Sequence, residues 1–470
     1  MSGLYATLNA SVKALNAHSR AIEVAGKNLA NVNNTSYARQ RVLYGDRGTY
    51  ETTEGVESLG LEALYVQQVR DALLDRQVLR ETSLKGAFEA EQSGYQRAQA
   101  ALGESINRSA SVDTAASTTA GLGSVIDDFF SAFQSFAARP SDTGERGTLL
   151  QSAAILSDRF QLTDQRLAQV QSDLDAQVAA DVQSANSLLS AIAALNGQIG
   201  RFEINAPGSA ADLRDQRQAR LEELAAVLPI EVRESGGGQV QVVTKGADGA
   251  DVTLVDLATV PGAIAFDGAQ LTAGDPPVAL APGAGAIKGA LDARDGAVQT
   301  LRDDLDRLAA QLVASVNALY NPTGTTGDFF VASGTTAGAL RVDPGVTVAN
   351  LKASDGGAAA DNSVALAIAQ LALKGFSTTG GDRIDGTFSN YYASSVTRLG
   401  QALATANARV DDQNNIEQLV RSQRDAVSGV SLDEEMADLM KFQRAFQASS
   451  RVFTLVDDLL DVVVNQLGRA

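Results

Sequence analysis

Both ends of the chain carry a seven-residue apolar repeat, and the residues between them do not. Leu8, Leu15, Ile22 and Leu29 recur near the N-terminus, and Leu432, Leu439, Phe446, Phe453, Leu460 and Leu467 near the C-terminus. A repeat of seven lines up a narrow apolar stripe along a helix, and such a stripe needs another helix against it. The terminal helices are therefore expected to pack on each other first and on neighbouring subunits second. Their charges complement: residues 1–40 hold four basic side chains (Lys13, Arg20, Lys27, Arg39) and one acid (Glu23), whereas residues 431–470 hold seven acids and four basic side chains.

The rest of the chain reads as long helices interrupted by Gly-rich stretches. Residues 4–31 form one amphipathic helix, ended by the turn-forming run Asn33-Asn34-Thr35-Ser36. An extended, hairpin-rich connector fills 40–68, where Gly45, Gly48, Gly55 and Gly60 punctuate strand-like residues. Helix resumes at 69–107, a small polar link occupies 109–120, and a short helix over 122–138 carries Phe129, Phe130, Phe133 and Phe136 on nearly one face. That aromatic stripe reads as core. A long helix is predicted over 142–203, broken by Asn205-Ala206-Pro207-Gly208, and its partner over 210–227 completes a helical hairpin. Past Pro229 the chain turns rich in Gly, Val, Thr and Pro, with strand-like stretches at 230–234, 239–243, 252–255 and 263–266. Helix returns from about 288 to Tyr320, at 361–373, at about 388–427 and from about 431 to 467, with a second β-rich segment at 321–360.

The fold class expected is mainly α with a β insertion. It is a discontinuous long-helix bundle built from N- and C-terminal segments, with coiled-coil terminal helices and a small inserted β domain. In domains, that gives 1–68 as N-terminal helix and connector and 69–229 as the first part of a helical domain. The β insertion is 230–286, the second helical part is 287–428, and the C-terminal heptad helix is 429–470.

Composition narrows the function classes. The 470 residues include no Cys, no Trp and a single His, with a net charge of −18. No disulfide framework, thiolate zinc site or redox centre can be built. The acidity disfavours nucleic acid and anionic membrane surfaces, and no apolar run approaches the roughly 20 residues of a membrane span. The opening residues lack the charged and apolar regions of a secretory signal. His18, alone on an Ala/Asn/Leu helix, reads as a seam or surface residue rather than a catalyst. The paired acids Glu434-Glu435 and Asp457-Asp458 lie on polar helix faces and do not suggest two carboxylates converging across a cleft. No catalytic, cofactor or metal residues are therefore assigned. The candidate site is instead an assembly seam: Leu8, Leu15, Ile22 and Leu29 with Leu432, Leu439, Phe446, Phe453, Leu460 and Leu467.

Several motifs are more specific than this pattern. Asn28-Leu29-Ala30-Asn31-Val32-Asn33, followed by Tyr37 and Arg39-Gln40, resembles the N-terminal signature of the bacterial flagellar rod, hook and hook-associated axial proteins. Ser36 stands where that family usually has Gly. Ser428-Gly429-Val430-Ser431-Leu432-Asp433-Glu434-Glu435 and Leu439-Met440-Lys441-Phe442-Gln443-Arg444-Ala445-Phe446 look like the end of the hook-associated members. Interior runs agree: Asp212-Leu213-Arg214-Asp215-Gln216-Arg217, Gly289-Ala290-Leu291-Asp292-Ala293-Arg294-Asp295, Val316-Asn317-Ala318-Leu319 and Gly327-Asp328-Phe329-Phe330.

The resemblance implies a structural flagellar subunit at the junction of hook and filament. It implies export through the flagellar type III apparatus without a cleaved signal, and an extracellular place in the flagellum. Implied partners are hook protein, the second junction protein (hook-associated protein 3), other copies of the chain and an export chaperone. Leu439, Phe442, Phe446, Phe453 and Leu460 are the candidate chaperone anchors, because apolar side chains at helical spacing suit a groove on a partner. Alternatives are another axial protein (hook, distal rod or second junction protein) or, from a different class, a flagellum-associated wall hydrolase.

Overall fold

The computed structural model describes residues 2–34, 36–45, 48–52, 55–58, 60–103, 121–205, 207–325, 327–356 and 361–463. Leu467 and the 109–120 link lie outside them. The fold is mainly α with small inserted sheets, as the periodicities predict. Two compact units divide the chain. One comprises Met1–Gly86, Asp181–Gly285 and Gln413–Ala470, and the other Ala87–Ala180 and Ala286–Asp412. Three of the four divisions fall inside long helices, and the fourth at the start of the short helix that begins at Ala286.

The first unit holds both chain ends. Helix α1 (Ser2–Ala30) is followed by strands β1 (Gln40–Gly45), β2 (Thr49–Thr52), β3 (Gly55–Ser58) and β4 (Glu62–Gln68). β1 pairs antiparallel with β4, Val42 opposite Val66, and β2 with β3. Gly60 returns the chain against α1. Its φ of +93° suits glycine, and a Cβ there would sit 3.0 Å from that of Ala10. The unit also contains the start of α2 (Ala72–Leu102), the end of α4 (Thr143–Glu203) and all of α5 (Ala211–Val227).

Two small antiparallel sheets follow α5. One, in the order β5-β6-β7, is built from β5 (Glu231–Glu234), β6 (Val240–Lys245) and β7 (Asp251–Val255). The other, β10-β9-β8, comes from β8 (Ala265–Phe266), β9 (Leu271–Ala273) and β10 (Val278–Leu280). Asparagines on α4 stitch these sheets to the helices. Asn186 trades both amide bonds with the backbone of Ile264, at 2.8 Å each, and Asn196 does so with Val240, donating at 2.8 Å and accepting at 3.3 Å. A side-chain amide thus supplies the partners a strand edge would otherwise lack. The end of α9 (Phe388–Ser428) joins α5 through Glu222, which accepts from Arg421 and Arg424 at 2.8 and 2.7 Å. Helix α10 (Leu432–Asp461) then lies alongside α1.

The second unit is organised by aromatic packing. Helix α3 (Leu122–Ala138) buries Phe129, Phe130, Phe133 and Phe136, so its aromatic stripe is core. Phe129 and Phe133 meet edge to face at 5.1 Å, and Phe129 lies 5.7 Å from Phe330 and 6.0 Å from Phe329. The ring of Tyr320, at the end of α7 (Gln299–Tyr320), sits 5.4 Å from Phe329. Such offset and edge contacts add roughly 0.5–1.5 kcal/mol each beyond area burial. Asn317 holds Phe330 in place: its amide donates to the Phe330 carbonyl at 2.8 Å and accepts from the Phe330 N–H at 2.9 Å. That one clamp accounts for both the Asn317 and the Phe329-Phe330 motifs. Gly289, on α6 (Ala286–Ala293), lets that helix touch α2, for a Cβ there would lie 1.9 Å from the Ala87 carbonyl oxygen. Arg294, in the π-turn after α6, pairs with Asp175 and Asp295. Helix α8 (Ser363–Gln370) packs against α3 and α7.

Two expectations need correction. Among the described residues of 321–360 there is a single isolated bridge, Phe330 to Val342, in place of strands; the Val331 N–H and the Phe329 carbonyl make it, while the backbone groups of Phe330 face the other way and are taken by Asn317. In addition, α4 is long and apolar enough to cross a membrane by length and composition alone, where the bare sequence suggests no such run. Its buried residues Val178, Val182, Ala185, Leu189 and Ile192 recur at helical spacing and serve packing instead.

Candidate assembly site

Three of the motifs converge where α1 ends, α10 begins and α5 passes. Asn28, in the last turn of α1, uses its whole amide. Its Oδ1 accepts from Tyr37 Oη at 2.8 Å and from the Gln40 N–H at 3.0 Å, and its Nδ2 donates to the Gln40 carbonyl at 2.9 Å and to Glu435 Oε2 at 3.0 Å. Ser36 needs no left-handed backbone, since its N–H is taken by Asn34 Oδ1 at 3.2 Å. That is how the chain makes the turn without the family's usual glycine.

Arg39 closes the site from the other side. Its Nε donates to Glu435 Oε1 and its Nη1 to Glu434 Oε2, both at 2.6 Å, with Asp438 3.7 Å away. Its backbone is anchored as well, its N–H to the Ser428 carbonyl and its carbonyl from the Val69 N–H, both at 2.8 Å. Burial alone would lower the Arg39 pKa, but the hydrogen bonds to Glu434 and Glu435 outweigh it and hold the pKa above its ordinary value. Glu435 is 3% exposed. It is a buried carboxylate satisfied jointly by the N-terminal segment's Arg39 and Asn28, so the two ends of the chain are tied by charge as well as by packing.

α5 supplies the third strand of the knot. Asp215 Oδ1 accepts from the Ala38 N–H at 3.3 Å, Gln68 Nε2 at 2.7 Å and Arg70 Nη2 at 2.6 Å, while Oδ2 is buried with no partner among the described residues. Burial pushes the Asp215 pKa up to about 6, more than the Arg70 charge pulls it down, and Asp212 adds to the rise. Asp75, the other acid on Arg70, is likewise raised by burial. Tyr37 is raised by burial and then by Asp215, Asp212 and Glu435. Gln40 Nε2 reaches Asp212 at 3.2 Å.

The heptad residues are placed less uniformly. On α1 the most buried side chains are Ala17, Ala21, Val24, Ala25 and Asn28, whereas Leu8, Leu15, Ile22 and Leu29 are half-buried. On α10, Leu460 is buried and Leu439, Phe442 and Phe453 are half-buried, but Leu432 is 51% and Phe446 37% exposed. The α10 face turned inward also includes Glu435, Ser449 and Val456, the second position of the same heptad. Val452, Leu455, Leu459 and Val462 form a further exposed apolar flank. His18 sits half-buried, its Nδ1 without a partner among the described residues, and its pKa is lowered by burial.

Chain ends folded back on each other through a polar knot, with apolar helix faces left open, occur in many kinds of helical protein. The comparisons narrow the choice. Residues 109–330 match the model for the flagellar hook-associated protein FlgK helical domain, and residues 421–467 that for the flagellar basal body rod FlgEFG protein C-terminal region. Flagellar hook-associated protein 1 of Bacillus subtilis (strain 168) is 26% identical over all of this chain and 99% of its own length. That of Escherichia coli (strain K12) is 23% identical over 97% of this chain and 99% of its own. The flagellar hook junction protein FlgK from Burkholderia pseudomallei aligns over 55% of this chain and 46% of its own, at 21% identity and a TM-score of 0.45. Over nearly its whole length the chain is similar to flagellar hook-associated protein 1 of these bacteria. It is a structural component of the bacterial flagellum.

Proposed function

We propose that the protein forms the junction between flagellar hook and filament by self-assembly through its terminal helices. The observation that carries this is the knot of Asn28, Arg39 and Glu435, which pairs α1 with α10 while leaving Leu432, Phe446, Leu455 and Leu459 uncovered. Exposed apolar residues on a helix, here on two of its sides, mark interaction surfaces. The seam is Leu8, Leu15, Ile22 and Leu29 with Leu432, Leu439, Phe446, Phe453, Leu460 and Leu467. Segments 1–68 and 429–470 make the assembling base, and 230–286 is a peripheral insertion. Its work is binding rather than catalysis, and it needs no cofactor. Its partners are hook protein on one side, the second junction protein (hook-associated protein 3) on the other, and its own copies around the ring.

Export runs through the flagellar type III apparatus, with a chaperone masking α10 at Leu439, Phe442, Phe446, Phe453 and Leu460 beforehand. The deciding experiment deletes the gene and examines cells by electron microscopy. Hooks without attached filaments, restored by the intact gene, are expected; normal filaments in the deletion strain would sink the reading.

A further inference from the structure

A cleft of 700 Å³ opens in the first unit between β4, the start of α2, α5 and β5. Five arginines line it, Arg70, Arg76, Arg214, Arg217 and Arg233, in a chain whose net charge is −18. Three are answered by carboxylates in contact. Arg70 meets Asp75 and Asp215, Arg214 meets Glu203, and Arg233 meets Glu231 and Asp251. Arg76 and Arg217 have no carboxylate in contact among the described residues.

Arg217 is the informative one. It is 7% exposed, yet its Nη1 donates only to neutral oxygens, Asn196 Oδ1 at 2.7 Å and the Gly238 carbonyl at 2.8 Å. Burial first, then Arg214, push its pKa down to about 10 against the longer-range pull of Glu203. A buried cation without a counter-charge in contact is costly, and a carboxylate entering the cleft would supply one. One unmet donor lines the same cleft: Arg70 Nε is buried with no acceptor among the described residues. β5 also lines the cleft and is an edge strand, paired only to β6, so main-chain groups are available to an extended guest.

We infer that this cleft receives a carboxylate on an extended acidic segment of an adjoining copy of the chain, with Arg217 as the buried contact and Arg76 as the outer one. The choice of occupant rests on the assembly reading above. It is favoured by charge, since each copy carries 56 acids against 38 Lys and Arg and so offers the cleft its complement.

The test uses full-length protein and a fluorescent hexaglutamate peptide, read by anisotropy at low salt, with hexalysine and inorganic phosphate as controls. Hexaglutamate should bind and hexalysine should not. Arg217→Gln should weaken hexaglutamate binding by about tenfold, the worth of one charge-assisted contact. Arg76→Glu, at an exposed position, should also weaken it while leaving the melting curve unchanged, which keeps the test valid should Arg217→Gln not fold. Unlabelled hexaglutamate should also reduce self-association measured by sedimentation. Unchanged peptide binding by a folded Arg217→Gln or by Arg76→Glu overturns the proposal, since Arg217 would then serve only to hold the Gly238 turn. Phosphate binding as tightly as hexaglutamate overturns it too, in favour of a small-anion site. Peptide binding reads the cleft and filament attachment reads the terminal helices, so the two readings fail separately.

Discussion

Arg39 and Glu435 are 396 positions apart in sequence and 2.6 Å apart in space. A buried ion pair adds little net stability compared with an apolar pair, but removing one partner strands the other charge. Arg39→Met should therefore cost about 3–5 kcal/mol locally. The expected sign is faster amide exchange in α1 and the first turns of α10, with the second unit unaffected. Unchanged protection at Glu435 and its neighbours would show that the pair is not what holds the ends. Asp215 makes a complementary prediction in pH. Its folded pKa of about 6 lies above the ordinary 3.8. A carboxyl raised on folding contributes stability that is full below its unfolded pKa and lost as pH climbs through the folded one. Between about pH 4 and 6 this residue should thus weaken the fold as pH rises. Asp215→Asn, which cannot titrate, should flatten that decline. Urea unfolding of both proteins at pH 4.5 and pH 7 gives the difference, and an identical slope in the two would refute the assignment.

At the scale of elements, much was legible. Helices α3 and α4 follow from periodicity and from the Pro and Gly that bound them, and β5 to β7 from Val and Thr runs between glycines. β8 lies in the apolar run Ala263-Ile264-Ala265-Phe266, whereas β9 and β10 carry no run of β-branched residues to mark them. The inward face of α10 was only half legible. Leu439, Phe453 and Leu460 announce themselves, but the companion heptad position carries Glu435 and Ser449, and a search for apolar stripes passes over polar residues. α1 hides its closest-packed face in the same way, since Ala17, Ala21 and Ala25 look featureless until a helix lies against them. The knot residues were visible only as a resemblance, because hydrogen-bond partners 145 to 407 positions away leave no local signature. Gly289 belongs to this class, a motif glycine whose purpose appears only in packing. Gly289→Ala would force α6 off the Ala87 carbonyl. We expect a loss of about 1–3 kcal/mol, as for overpacking elsewhere, seen as a lower melting temperature, even though alanine favours helix. A rise in melting temperature would mean the two helices have slack.

At the scale of the whole molecule, the proposed assembly surface is separate from the core that folds the second unit. The second unit is closed around Phe129, Phe133, Phe329 and Phe330, all buried. The terminal helices are closed only at the Arg39–Glu435 end and on one face. Beyond that, α10 offers Phe446, Val452, Leu455 and Leu459 to whatever lies beside it. Phe446→Asp tests this division. At 37% exposure, the new carboxylate can stay hydrated in the lone chain, so neither unit should lose stability, and the thermal transition should move by less than the width expected of a surface change, about 0.5 kcal/mol. In an assembled ring the same position would be covered by a neighbour, and burying an unpaired carboxylate there costs several kcal/mol per subunit. The variant should therefore melt normally, be exported normally, and fail to attach filaments to hooks. If it attaches filaments as the wild type does, Phe446 faces solvent in the assembly and the seam lies on the Leu455–Leu459 flank instead. If it unfolds the isolated chain, the stripe is core rather than interface, and self-assembly through this face of α10 is wrong.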